Sequence, residues 1–308
     1  MAFLPAERFI LTILATLISL DALLLWWKDV GLDVPGYAAL SACGVFLILL
    51  GQFYRRFRPN ERIAVTATAA GLFVLFTIAG SIFNYLLLPI YFTPIDRTLI
   101  RLDGMLGYTW PDIVSWAAGR PVVGTALRIV YMSSLLQLLV VIVVLGFTDK
   151  TRTLHHFLLT GVMGALLAMI AWFFAPSIGP SAFYQIPQNV VDGMPLAVDN
   201  HYGAELSRAL REGAVYLTPK NVLGLIAFPS FHMVMACMSV CFLARVRFLS
   251  VPACLLNAAM MPAILIHGGH HLIDLIGGAV TFAAAYGLSA RLLKDVDRRE
   301  AGRKAKLA

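Results

Sequence analysis

His267–Gly278 reads H-G-G-H-H-L-I-D-L-I-G-G and sits between two apolar runs, Leu249–Ile266 and Leu272–Leu293. Each run is long enough, or nearly so, to cross an apolar slab of roughly 30 Å, which takes about 20 helical residues. A short polar turn between two such runs is a helical hairpin in a membrane. Within it Asp274 follows His270 by four residues, on the same helix face. A lipid-facing helix has no use for that pair, which is equipment for holding an imidazole in one tautomer.

The rest of the chain fits that setting. Of 308 residues, 59% are hydrophobic and 13% charged, with a mean hydropathy of +0.80. A soluble core of ordinary size cannot hide so much apolar surface. Backbone groups in lipid need partners within their own segment, so the expected fold is all-α, a polytopic transmembrane helical bundle. Eight spans are expected: Phe9–Trp27, Tyr37–Phe53, Ile63–Ile90, Val122–Phe147, Phe157–Phe174, Val222–Ala244, Leu249–Ile266 and Leu272–Leu293. The first does not read as a cleaved signal peptide. It is long, carries Asp21, ends in Trp26–Trp27 and lacks a small-residue cleavage pattern.

Basic residues cluster in alternate connections. Arg55, Arg56, Arg58 and Arg62 follow the second span, Lys150 and Arg152 the fourth, Arg245 and Arg247 the sixth, and seven Lys/Arg run from Arg291 to Lys306. The other connections hold Lys28, Arg97, Arg101, Arg120, Arg208, Arg211 and Lys220, spread over much greater length. The positive-inside rule then places both termini in the cytoplasm. The net charge of +7 is mostly a cytoplasmic rim suited to anionic membrane lipids, and it does not call for nucleic acid. Cys43, Cys237, Cys241 and Cys254 all fall inside spans without metal-ligand spacing, and read as small buried hydrophobes.

Two connections on the opposite side are too rich to be turns. Tyr91–Pro121 interleaves Leu99, Leu102, Leu106, Trp110 and Trp116 with Asp96, Arg97, Arg101, Asp103 and Asp112. This is the pattern of an interfacial amphipathic helix, or of two broken at Gly104 or Gly107. It is either an aromatic belt anchor or a lid and lipid-access surface. Ala175–Asn221 is a long outer loop dense in Gly, Pro and Asn, with a short helix expected over Ala204–Arg211.

Counting spans brings Pro229, Ser230 and His232 to the same outer side as His267 and His270, beneath the loop that carries Arg208, Arg211 and Lys220. That convergence suggests phosphoryl transfer. Asp274 can take the Nδ1 proton of His270, which leaves Nε2 with its lone pair aimed outward as a nucleophile. His232 can protonate the departing alkoxide and later activate the acceptor. Arginine or lysine must offset charge on the phosphoryl oxygens.

The same residues carry a resemblance. A-F-P-S-F-H over Ala227–His232 and G-H-H-L-I-D-L-I-G-G over Gly269–Gly278 resemble the second and third signature motifs of the type 2 phosphatidic acid phosphatase (PAP2) superfamily. Their spelling is closer to the branch with the inositol phosphorylceramide synthases than to the P-S-G-H phosphatases. Bacterial members of that branch look similar across L-D-G-M-L-G-Y-T-W-P (Leu102–Pro111) and A-P-S-I-G-P-S-A-F-Y (Ala175–Tyr184). The resemblance implies that His270 is a phosphohistidine-forming nucleophile, Asp274 its orienting partner, His232 the acid/base and Ser230 a phosphate contact, with no cofactor or metal. It implies residence in a bacterial inner (plasma) membrane. It also implies a division into a two-helix extension (1–62), a catalytic bundle (63–293) and a basic tail (294–308), which is expected to be flexible.

Departures from the pattern bear on charge. The first signature, a Lys with Arg-Pro beginning seven residues beyond, has no counterpart, and the arginine usual six residues before the nucleophile is Ile264. Arg211 is the first candidate replacement, with Arg208 and Lys220 beside it.

Plainer accounts stand next to these. His232 is either the acid/base or a packed histidine bonded to a carbonyl, and His270–Asp274 either catalytic or a helix-end lock. His267 and His271 read as satisfied or solvent-exposed. A metal on His267, His270 and Asp274 is a further alternative. Asp21 and Arg128 are expensive in lipid and could pair. Asn84, Tyr131, Ser134 and Gln137 read as interhelical hydrogen-bonding groups.

The expected function is a membrane lipid phosphate phosphatase acting through phosphohistidine at the outer leaflet. The alternatives are a phospholipid headgroup phosphotransferase of the inositol phosphorylceramide synthase kind, with a lipid alcohol as acceptor, and a lipid or anion transporter without chemistry.

Overall fold

Runs of apolar residues become helices wherever a cap or a proline starts them. The computed structural model describes residues 3–194, 196–244 and 246–305. Its helices are α1 (Pro5–Lys28), α2 (Val34–Arg56), α3 (Glu61–Leu86), α4 (Asp96–Met105), α5 (Trp110–Ala118), α6 (Pro121–Met132), α7 (Ser134–Phe147), α8 (Thr151–Phe174), α9 (Gln188–Gly193), α10 (Asn200–Glu212), α11 (Phe231–Leu243), α12 (Arg247–His267) and α13 (Leu272–Ala305). A two-residue parallel bridge pairs β1 (Gly31–Leu32) with β2 (Tyr216–Leu217). Side chains of Asp33, Asn60, Asp199 and Ser230 cap α2, α3, α10 and α11.

Among the described residues six helices are long and apolar enough to cross a membrane, namely α1, α2, α3, α8, α12 and α13. The all-α expectation holds, and the protein is membrane-associated. Apolar residues such as Phe46, Leu255 and Val280 point outward from these helices, as lipid-facing side chains do.

The expected span Val122–Phe147 is a bent pair, α6 and α7, with a 50° break. At the break Ser133 and Ser134 each donate a 2.6 Å bond back to a carbonyl of the preceding turn, Val130 O and Tyr131 O, a contact that bends helices. The expected span Val222–Ala244 is helical only over the 13 residues of α11. Pro229 has no N–H to offer and Ser230 caps, so the helix begins at Phe231. The irregular run before it is satisfied from elsewhere: Tyr85 OH accepts from Leu223 N–H, and Tyr202 OH donates to Gly224 O.

The ends of the helices sort into two sets. At the end that holds the N-terminus, Arg55 grips Glu7 through two bonds of 2.8 and 3.0 Å, Arg62 pairs with Asp149, Arg152 with Asp297 and Arg8 with Glu300. The last two pairs tie α13, which runs to Ala305, to its neighbours at Asp297 and Glu300. Arg245 and Lys306, counted above among the basic residues, lie outside the described residues. At the other end Lys28 Nζ donates to Leu86 O and Leu88 O, the β1–β2 bridge ties the α1–α2 turn to the long loop, and Ile90 N–H donates to Leu210 O.

Packing joins the first two helices to the rest. α1 sends Ala6, Ile10, Leu14 and Leu17 into the main core with Leu72, Leu145, Leu159 and Met238. α2 lies so close on α3 that a Cβ at Gly71 would stand 2.6 Å from Gly44 O, the small-residue packing usual between membrane helices. Asp21 is buried on α1 while Arg128 is exposed on α6, and no ion pair joins them among the described residues. Cys43 and Cys254 are exposed rather than buried, and Cys237 and Cys241 are half-buried.

Replacing Glu7 by Ala takes the bidentate carboxylate from Arg55, whose side chain is only 11% exposed. Thermal unfolding in detergent is expected to register a loss of roughly 3–5 kcal/mol. Arg62→Ala, at an ion pair more than half exposed on both sides, is expected to cost no more than about 1 kcal/mol.

Candidate active site

The starts of α11 and α13 are held together by backbone. Ser230 N–H donates to Asp274 O at 3.0 Å, and a Cβ on Gly278 would strike Ser230 O, so only glycine lets the two helices approach this closely. Ser230, His270 and Asp274 are all buried there. Asp274 Oδ2 lies 3.0 Å from His270 Nδ1 and accepts the His271 N–H at 2.8 Å. With the carboxylate ionised, Nδ1 carries the proton and donates. His270 Nε2 then keeps its lone pair, with Ser230 Oγ 3.4 Å away.

His232 lies across from this ring, the two centroids 6.3 Å apart and the planes at 68°. It stacks on Tyr131 at 4.4 Å and 24°, and Tyr131 comes from the last turn of α6 beside the bend. The ring nitrogens of His232 have no hydrogen-bond partner among the described residues, so the plain account of a histidine tied to a carbonyl does not apply to it. It does apply to His267, whose Nε2 is 2.9 Å from Gly124 O. That turns His267 away from His270, and no group of three His, Cys, Asp or Glu poised for a metal occurs among the described residues.

Around the turn that carries His270 is a network that helical periodicity does not reveal. His271 is buried, with Nδ1 2.9 Å from Asp103 Oδ2 and Nε2 3.5 Å from Asp96 Oδ1. Asp103 also accepts the N–H groups of Leu272 and Ile273 at 3.3 Å, capping the start of α13. Asp96 accepts from Ser177 Oγ and from the N–H groups of Ile178 and Gly179 at 2.8–3.1 Å. Gly179 (φ +88°) and Gly269 (φ +57°) pass so near each other that a Cβ on Gly179 would stand 2.6 Å from Gly269 O. Tyr108 closes the turn by donating to His270 O at 3.0 Å, and burial pushes its phenol far above the ordinary range, so it stays neutral.

Burial opposes charge on His271, yet the bonds to Asp103 and Asp96 outweigh it and raise its pKa to about 9. His271 is therefore buried between two carboxylates and not solvent-exposed, with Nδ1 hydrogen-bonded to Asp103 and Nε2 holding only the 3.5 Å charge contact to Asp96.

The segment Tyr91–Pro121 does form two helices, broken at Gly107 (φ +72°). Leu102, Leu106 and Trp116 are exposed, as a belt would have them, but Asp96, Leu99, Asp103 and Trp110 face inward. The acidic side of α4 is thus structural support for the histidine turn. Its trace in the sequence is the i, i+7 spacing of Asp96 and Asp103, which puts both on one helix face.

The expected cations are elsewhere. Arg208 and Arg211 are exposed on α10, whose Leu206 and Leu210 are buried, and Lys220 is exposed beyond it. The charge of Lys220 also acts on Asp33, whose carboxyl is held below its usual range chiefly by the Gly36 N–H and the Thr218 hydroxyl. Ile264 is fully buried among apolar side chains. No arginine or lysine touches Ser230, His232, His270 or Asp274 through a hydrogen bond or ion pair among the described residues.

A family model described as the PAP2 superfamily matches residues 97–288, more than half of the chain. The chain belongs to the PAP2 superfamily. No curated protein and no solved structure matches it. The PAP2 domain supports an enzymatic, lipid-phosphatase-like function in general, and lipid-phosphate-type substrates. The matched stretch begins one residue after Asp96 and contains both histidine-bearing turns.

Because His271 holds its proton more tightly folded than its ordinary value of 6.5, its contribution to stability is whole below that pH and is lost as the pH rises through about 9. His271→Leu strands two buried carboxylates, and a loss of roughly 3–5 kcal/mol is expected at pH 6. Thermal unfolding of both proteins from pH 6 to 10 should find the gap narrowing between about pH 6.5 and pH 9 and levelling off above that; a constant gap would contradict the assignment.

Proposed function

We propose that the protein is a membrane lipid phosphate phosphatase that works through a phosphohistidine on His270. The observation that carries this reading is the pair of imidazoles facing each other with ring centroids 6.3 Å apart, one of them oriented by Asp274. The Nε2 lone pair of His270 attacks phosphorus and forms an N–P bond as the bond from phosphorus to the lipid oxygen breaks. His232, in its acid form, gives its proton to that departing oxygen. It then takes a proton from water, whose oxygen displaces Nε2 and releases phosphate. Asp274 stabilises the charge that His270 acquires.

Phosphoryl oxygens are held by Ser230 and the N-terminal end of α11, where the helix dipole favours anions. Arg211, with Arg208 and Lys220, adds cationic charge from the loop above. In this reading the site faces the outer leaflet of a bacterial inner membrane and both termini are cytoplasmic, supported by Arg55, Arg56, Arg58, Arg62, Lys150, Arg152 and Arg247 at the end that holds the N-terminus. Counting α6–α7 as one crossing and residues 222–244 as another makes eight spans, with α4 and α5 at the interface.

A second reading, transfer of the phosphoryl group to a lipid alcohol as in the inositol phosphorylceramide synthase branch, is favoured by an apolar cavity that borders His232. A water-poor acceptor site favours transfer over hydrolysis.

Phosphate release from a labelled lipid phosphate, with and without added lipid alcohol, tests both. His270→Ala is expected to abolish turnover and His232→Ala to reduce it by about 10²–10⁴-fold; wild-type turnover in both would remove the mechanism. Arg211→Ala is expected to slow turnover with folding intact, and unchanged turnover would remove it as the clamp. A phosphorylated alcohol among the products would favour transfer.

A further inference from the structure

Beside His232 the bundle holds a partly open chamber of about 340 Å³, walled by α1, α3, α7, α8, α11 and the run before α11. Ile10, Phe76, Leu138, Phe157 and Met235 are typical of its lining, which is apolar almost throughout. His232 forms part of the wall, so the chamber and the proton-transfer group of the proposed mechanism share a boundary.

Asn84 breaks the pattern. It lies in the last turn of α3, is 9% exposed and lines the chamber, and its Oδ1 is buried without a hydrogen-bond partner. Among the polar residues that were expected to bond between helices, Gln137 does so with Asn257, at 2.9 Å. Asn84 does not. A buried amide oxygen left unpaired in the wall is a hydrogen-bonding group for an occupant to satisfy.

We propose that the chamber is the binding site of a single-chain lipid alcohol, its hydrocarbon lying between α3, α8 and α11 and its hydroxyl at the Asn84 and His232 end. The inference rests on the reading of His232 as the group that exchanges a proton with the alcohol oxygen. Ligand pockets span roughly 300–1,000 Å³, so this chamber, at the small end, takes one chain. A hydroxyl both donates and accepts, and so satisfies the amide whichever of its ends faces inward. A chain without one leaves the amide unpaired, which is the source of selectivity. Ile10 and the α3 lining residues Leu72 to Asn84 precede the matched residues 97–288. The preference for the alcohol thus comes largely from this chain's own first helices.

The test uses full-length protein in phosphatidylcholine vesicles and hexadecanol carrying a mid-chain diazirine, with adducts mapped by mass spectrometry after illumination. His270→Ala protein is labelled in parallel, so that binding is read where the proposed chemistry is blocked; the turnover of that variant judges the catalytic reading separately. Adducts are expected on α3 and α11, and hexadecanol should displace the probe at about tenfold lower concentration than its methyl ether. In Asn84→Leu the alcohol and the ether should compete equally. Gly80→Leu, which projects a side chain from the chamber wall, should abolish the adducts.

Adducts confined to outward-facing residues such as Phe46, Val143 and Val280 overturn the proposal. So do an alcohol preference unchanged in Asn84→Leu and adducts that persist in Gly80→Leu. With wild-type protein and a labelled lipid phosphate, phosphorylation of the probe identifies an acceptor alcohol, whereas slowed phosphate release without it identifies the departing one; either result supports the site.

Discussion

The imidazolium of His271 between Asp96 and Asp103 is the interaction on which the rest of the site depends. It joins three stretches that are distant in sequence: α4, the 177–179 run and the turn that begins α13. Without it, the backbone that presents His270 and Asp274 would be a glycine-rich turn between two membrane helices, free to adopt many conformations. With it, Asp103 fixes the first N–H groups of α13 and Asp96 fixes the segment that passes against Gly269. The charges are complementary within the network, so one buried cation offsets part of two buried anions and the bonds to backbone N–H groups offset more.

Much of this was legible in the sequence. Apolar run length gives the membrane helices, because the thickness of a bilayer sets the length of a helix and lipid forbids an unpaired backbone. The pairing of His270 with Asp274 follows from helical periodicity alone. Elements that depend on local hydrogen bonding were harder to read: the bend at Ser133 is made by two hydroxyls that turn back on their own helix, and hydropathy does not register them. The 13-residue α11 is similar, since Val222–Ile226 is as apolar as a span and only Pro229 and Ser230 say where the helix begins. The role of α4 was hidden for a different reason. Asp96 and Asp103 look like the wet face of an interfacial helix until their partner, contributed from 168 residues further along at Asp103, is in place.

The electrostatics of the site are unusual for chemistry on phosphate. Three carboxylates lie within or beneath the histidine turn, and Arg208 and Arg211 extend from a separate helix into the surroundings. Positive potential near His270 therefore comes from fixed sources, the start of α11, the hydroxyl of Ser230 and the neighbouring His271, and in the proposed mechanism from side chains that reach in. In the proposed mechanism a substrate phosphate draws those arginines toward it, so that binding and the completion of the cationic side of the site become one event.

The chamber beside His232 takes two of its walls from helices that lie outside the PAP2 match. A chain trimmed to that stretch would keep each polar group of the histidine turn except Asp96. It would lose α1 and α3, and with them the partition between the interior and the bilayer. The space would become a groove open along its length, one that any acyl tail could enter sideways, and discrimination among lipids would disappear.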